Sequence, residues 1–131
     1  VSTSVRSQFA EALTPLLPAT WKILNSEKGV GNHQHPIVRL SQRKIERHPN
    51  APLGARQTTF TVTVTAPSGD LEHWEDELDD EVNTLTWAIE TLGSDFSWSS
   101  AEKGILPAEE GGNLFYEMTV LISTARPVPT N

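Results

Sequence analysis

The chain has 131 residues, enough for one compact domain with a single modest core. With 37% hydrophobic and 21% charged residues its composition is that of a folded chain, and the absence of cysteine excludes disulfides, thiolate catalysis and Cys-ligated metal centres. The formal net charge of −7 is unevenly divided, with eight Lys/Arg against three Glu in residues 1–69 and two Lys/Arg against fourteen acids in residues 70–131. That balance argues against tight nucleic-acid binding while leaving room for a local basic patch. No run approaches the roughly 18 apolar residues that span a bilayer, and the first residues lack the basic-then-apolar pattern of a signal peptide, so neither membrane insertion nor export by that route is expected.

In chain order, Val5, Phe9, Ala12, Leu13 and Leu16 recur at helical spacing, which predicts an amphipathic helix from Ser4 that ends near Pro15 and Pro18. Trp21 to Leu24 is a short strand, followed by a loop over 25–35 whose Gly-Val-Gly reads as a turn. Pro36 to Glu46 is a strand with broken alternation; if it stays extended, Arg39, Arg43 and Arg47 share a face, as a solvated edge or as a contact surface. Residues 47–56 form a Pro-punctuated loop or hairpin tip. Gln57 to Ala66 alternates cleanly between Phe60, Val62 and Val64 on one face and threonines on the other.

A long helix follows, capped by Asp70 and closed by Gly93 just past its end. Leu71, Trp74, Leu78, Val82, Leu85, Ile89 and Leu92 form its core stripe, and Trp87 falls nearly opposite, either tucked under a loop or meeting another chain. Phe96 to Leu106 is a strand with a bulge or bend expected at Glu102-Lys103-Gly104. Asn113 to Ser123 is a strand with Leu114, Tyr116, Met118, Val120 and Ile122 on one face and Phe115 and Leu121 on the other, a pattern that suits cover on both sides. The expected fold is thus α+β: a small mixed or antiparallel sheet of about five strands, in the order α-β-β-β-α-β-β, packed against two helices. Residues 1–125 form a single domain and 126–131 an extended tail.

No catalytic signature is present. Nine acids, Asp70, Glu72, Glu75, Asp76, Glu77, Asp79, Asp80, Glu81 and Glu90, belong to the second helix, eight of them in its first half, where the macrodipole favours negative charge. A solvated acidic face accounts for them better than a cation site, since the Asp/Asn/Gly alternation of a calcium loop is missing. His33 and His35 lack a clear third ligand. The GxSxG elbow is absent. The expectation is a non-enzyme without metal, cofactor or DNA-binding residues, built for association. Opposite charges segregated on different elements suit a heterologous contact, which singles out Arg39, Arg43, Arg47, Pro49, Pro52, Leu53 and Arg56 on one side and Asp76, Asp79, Asp80 and Trp87 on the other.

Several segments in this order resemble the tail terminator proteins of long-tailed bacteriophages, especially actinobacterial siphophages. They are the short N-terminal helix ending near Leu17-Pro18, the Trp21-Lys22-Ile23-Leu24 strand, and Ala51-Pro52-Leu53-Gly54-Ala55-Arg56 leading into the Thr-rich strand. The helix opening Trp74-Glu75-Asp76-Glu77-Leu78-Asp79-Asp80 and the Asn113-x-x-Tyr116 strand complete the set. The resemblance implies a virion protein forming a hexameric ring at the head-proximal end of the tail, assembled in the host cytoplasm. Such a ring caps the tube, stops its polymerisation, joins the head connector protein and lets double-stranded DNA through its lumen without specific binding. An acidic wall suits such a conduit; the arginines are then expected to face a neighbour or the outside, and the 47–56 loop to meet the adjacent ring. Another minor tail or head–tail completion protein is the alternative. A small metal-dependent enzyme using the acidic helix or His33 and His35 stands further off.

Overall fold

The computed structural model describes residues 4–24, 35–47, 55–67, 69–107 and 112–124. Helix α1 spans Val5–Leu13, with the Ser4 hydroxyl accepting from the Ser7 amide at 3.1 Å. A 3₁₀ turn over Thr14–Leu16 follows, because Pro15 has no amide hydrogen with which to continue the α ladder. The turn brings Trp21, 7% exposed, into the core. Strand β1 is Lys22–Leu24, β2 Ile37–Arg47 and β3 Arg56–Thr65; helix α2 is Leu71–Glu90; β4 is Phe96–Ile105 and β5 Leu114–Thr124. The order helix, three strands, helix, two strands is the one the sequence predicts.

The five strands form one mixed sheet in the order β1-β2-β3-β5-β4, parallel between β1 and β2 and antiparallel elsewhere. β3 sits at the centre, as its clean alternation requires. Phe60, Val62 and Val64 face the helices together with Val38 and Leu40 of β2 and Met118, Val120 and Ile122 of β5. Both helices pack on this face. Phe9 of α1 meets Phe60 edge-on with ring centroids 5.4 Å apart, and Leu78, Val82, Leu85 and Ile89 of α2 are buried. Removing a side chain such as Phe60 from water contributes about 2–3 kcal/mol. Asn113, buried, donates through Nδ2 to the Ala66 carbonyl at 2.8 Å and fastens the start of β5 to the end of β3.

The helix caps follow expectation with one adjustment. Asp70 caps α2, its carboxylate accepting from the His73 amide at 3.4 Å, from a left-handed backbone (φ +42°) that Asp tolerates better than most residues. The C-cap is Thr91, so Gly93 stands two residues beyond it; the last turn closes instead through the amides of Thr91 and Leu92 bonding Ala88 and Ile89.

Two strand irregularities correct the sequence reading. The register of β2 against β3 shifts between Gln42 and Lys44, making Arg43 the extra residue of a bulge. Arg39 and Arg43, whose Nε donates to Thr61 Oγ1, therefore lie on the sheet face away from the helices, while Arg47, paired with Arg56, falls in the register of the helix face. The three arginines do not share a face. In β4 the shift lies between Trp98 and Ser100, not at Glu102-Lys103-Gly104, where pairing with β5 is regular. Gly104 serves a different purpose there. A β-carbon on it would lie 2.5 Å from Phe115 Cζ, so the missing side chain is the room into which the Phe115 ring folds. Phe115 and Leu121 are half-buried, and among the described residues no helix covers their face of the sheet.

Candidate functional site

Helix α2 crosses the sheet over β4 and β5. Its core stripe points down, so the adjacent flank meets the sheet obliquely and leaves an open groove of about 610 Å³. The floor is Val82, Thr86, Ala101 and Trp98; Tyr116 stands at one side, and Asp76, Asp79, Asp80 and Asn83 supply the polar rim.

The groove is braced by a network drawn from three elements. The Lys103 ammonium of β4 stands 2.8 Å from Asp79 Oδ1 and 3.3 Å from Glu75 Oε2, both on α2. The Tyr116 hydroxyl of β5 donates to Asp79, and Lys103 also lies 5.7 Å from the Tyr116 ring centroid. The bond from Lys103, and next that from Tyr116, hold the Asp79 carboxyl below its ordinary range. Bonding to Asp79 foremost keeps Lys103 charged to higher pH than usual, while burial first and the Asp79 contact second push the Tyr116 phenol up. The network ties edge strand β4 to α2. Because Asp79 is 45% exposed, it contributes only about 0.5–1 kcal/mol.

Glu75, Asp79 and Lys103 together carry one net negative charge, and Asp76 and Asp80 add two more. Among the described residues neither Asp76 nor Asp80 has a cationic partner. The lining presents carboxylates beside aromatic and apolar surface, which is chemistry that receives a cation carried on an apolar or planar stem. A helical step of 100° per residue puts Asp76, Asp80, Asn83 and Trp87 on one stripe, and Trp87, 68% exposed, extends the rim toward the end of α2.

The structure brings Asp76, Asp79, Asp80 and Trp87 together on one flank of α2. Arg43 and Arg47 are exposed on β2, three strand spacings from the β4 edge, and Arg56 is exposed on β3, two spacings from it. Arg39 is half-buried, and its Nε has no hydrogen-bond partner among the described residues. Pro49, Pro52, Leu53 and His33 lie outside the described residues, as does the tail after 124; His35 is exposed. No group of three His, Asp, Glu or Cys suited to a metal ion occurs among the described residues, and no described helix is long and apolar enough to cross a membrane. Lys103, Tyr116 and Trp98 were not among the expected site residues. The signal for Lys103 was available: one of only two bases among fourteen acids in the second half of the chain, it is the natural counter-ion of the acidic helix.

No family model and no curated protein sequence matches the chain. Among solved structures the chain is similar to the sheath/tube terminator, in its extended state, of an extracellular contractile injection system (PVC) determined by cryo-electron microscopy. The two are 12% identical with a TM-score of 0.48, over 100% of this chain and 63% of that one. The chain thus spans under two thirds of the length of that protein.

Proposed function

We propose that this chain is a structural protein that self-associates into a ring, a hexamer in the arrangement favoured here, and acts as the terminator of a phage-type tail tube. The ring would cap the tube at its head-proximal end, stop polymerisation, and offer the surface on which the head connector docks, with DNA passing through an acidic lumen. The observation that carries the reading is the placement of charge. An acidic helix flank with an exposed tryptophan lies over one edge of the sheet, and the exposed Arg43 and Arg47 lie on β2, toward the other, with Arg56 beside Arg47 on the central strand. Unlike surfaces at opposite sides of a subunit associate head to tail, and such contacts close into rings when the rotation permits. The ordered sequence resemblance to tail terminators supplies the tube as the ring's partner.

The experiment is to mix the purified protein with polymerising tail tube protein and examine tube ends by negative-stain microscopy. Rings seated on tube ends, with shortened tubes, are the expected result. Rings that leave the tubes uncapped would move the assignment to another protein of the tail or connector set.

A further inference from the structure

A ring of identical copies needs two surfaces that fit each other, and two regions of this chain carry charge that finds no opposite partner among the described residues. One is the groove. Asp76 and Asp80 line it with Asp79 and Trp98, without cationic partners among the described residues, and the exposed Trp87 lies further along the same stripe of α2. The other is the end of the β2–β3 pair. Arg47 and Arg56 are direct register partners across the two strands, and like charges set opposite one another destabilise a sheet. Neither has a carboxylate partner among the described residues; Arg56 Nη1 donates only to the Ala55 carbonyl, and the nearby Glu46 pairs with Lys44. Ile45, 58% exposed, shares the strand face of Arg47 two residues away. Each surface therefore carries an exposed large hydrophobic group beside uncompensated charge, and the charges are opposite. Within one copy no ion pair joins them among the described residues: β3 and β5 lie between Arg47 on β2 and β4, about 14 Å at ordinary strand spacing, and β5 lies between Arg56 on β3 and β4, about 10 Å.

We infer that the groove between α2 and β4 is the docking site for the β2–β3 arginine end of a second copy of this chain. Arg47 and Arg56 lie against Asp76 and Asp80, and Ile45 packs on Trp87. Guanidinium groups suit this groove better than ammonium groups would, since they can stack on an indole while bonding a carboxylate. Lys103 and Tyr116 do not bind the incoming copy; they hold Asp79 and α2 in place, so that the rim is fixed before docking. The inference deepens the ring reading and rests on it.

A charge swap tests both. R47E/R56E and D76K/D80K change exposed side chains, and each is expected to retain the wild-type far-UV circular dichroism and melting transition. Analytical ultracentrifugation should show each variant alone with self-association weakened on the order of a hundredfold. Mixed in equal amounts they should recover it, since every contact in an alternating ring then pairs opposite charges. Should either reversal disturb folding, the neutral pair R47Q/R56Q and D76N/D80N takes its place; each should still weaken association. An associating wild type whose mass neither variant set alters, or reversals that are not rescued by mixing, would overturn the docking site and leave the ring standing. A wild type monomeric at every concentration would overturn the self-assembling ring itself.

Discussion

Leu85 and Trp87 stand two residues apart on α2 and differ as much as two residues can: one is 2% exposed, the other 68%. Leu85 belongs to the stripe with Leu78, Val82 and Ile89 that closes on the sheet, whereas Trp87 belongs to the stripe with Asp76, Asp80 and Asn83 that borders the groove. The first flank is explained within the chain, because these four side chains are buried in the core; the expected stripe fails only toward its ends, where Leu71 is 47% exposed and Trp74 and Leu92 are half-buried. The second is not: an exposed indole costs solubility and gains nothing for the fold of a single copy. If the proposed ring contact is right, stability is encoded on one flank and association on the other, and substitutions should separate the two.

The largest effect is expected on the buried flank. Leu85→Ala should lower unfolding free energy by about 3 kcal/mol through lost burial and a residual cavity, read as a shifted urea midpoint; a loss below about 1 kcal/mol would mean the α2–sheet contact is looser than described. Trp87→Ala should do the reverse, changing stability by no more than about 0.5 kcal/mol while weakening self-association about tenfold or more, as an aromatic anchor does at the centre of a contact. Equal changes in both quantities would erase the distinction between the flanks.

A smaller effect is expected at the edge strand. Gly104→Ala puts a β-carbon where the Phe115 ring lies and should cost about 1–2 kcal/mol, with G104A/F115L recovering much of it in thermal melts. The smallest is electrostatic. The Asp79 carboxyl titrates lower in the folded chain than in the unfolded one, so its contribution is present above the unfolded value, near pH 3.8, and is lost as pH falls through the folded value. Asp79→Asn should therefore flatten the stability profile in the acid limb below pH 4, by about 0.5 kcal/mol given its exposure. Lys103, shifted the other way, keeps its contribution below pH 10.5 and loses it only at higher alkalinity, so neutral pH should leave the brace intact.

The fold was largely legible because its strongest signals are local and periodic. The alternation of Phe60, Val62 and Val64 identifies a central strand, and seven apolar residues at helical gaps orient α2. What escaped depends on partners distant in sequence. The bulge that makes Arg43 an extra residue arises from how β2 meets β3, and it reverses the face of Arg47; nothing in the run IVRLSQRKIER marks it. The glycine at 104 signalled an irregularity, but its reason is an aromatic ring from β5 rather than a bend. The acidic helix residues were identified as a group, yet the groove exists only because Trp98, Ala101 and Tyr116 of two other strands come up beside them. Asp79 differs from its neighbours for the same reason: expected at an interface, it is occupied by Lys103 and Tyr116 of its own chain, which leaves Asp76 and Asp80 as the carboxylates open to a partner.

Self-association is what distinguishes a ring subunit from a solitary domain, and the direct measurement is the native mass of the wild-type chain by sedimentation equilibrium across a wide concentration range at low salt. A subunit of 14.4 kDa should give way with rising concentration to a closed species near six times that mass, about 86 kDa, with no larger polymer. A mass of 14.4 kDa at every concentration would contradict it.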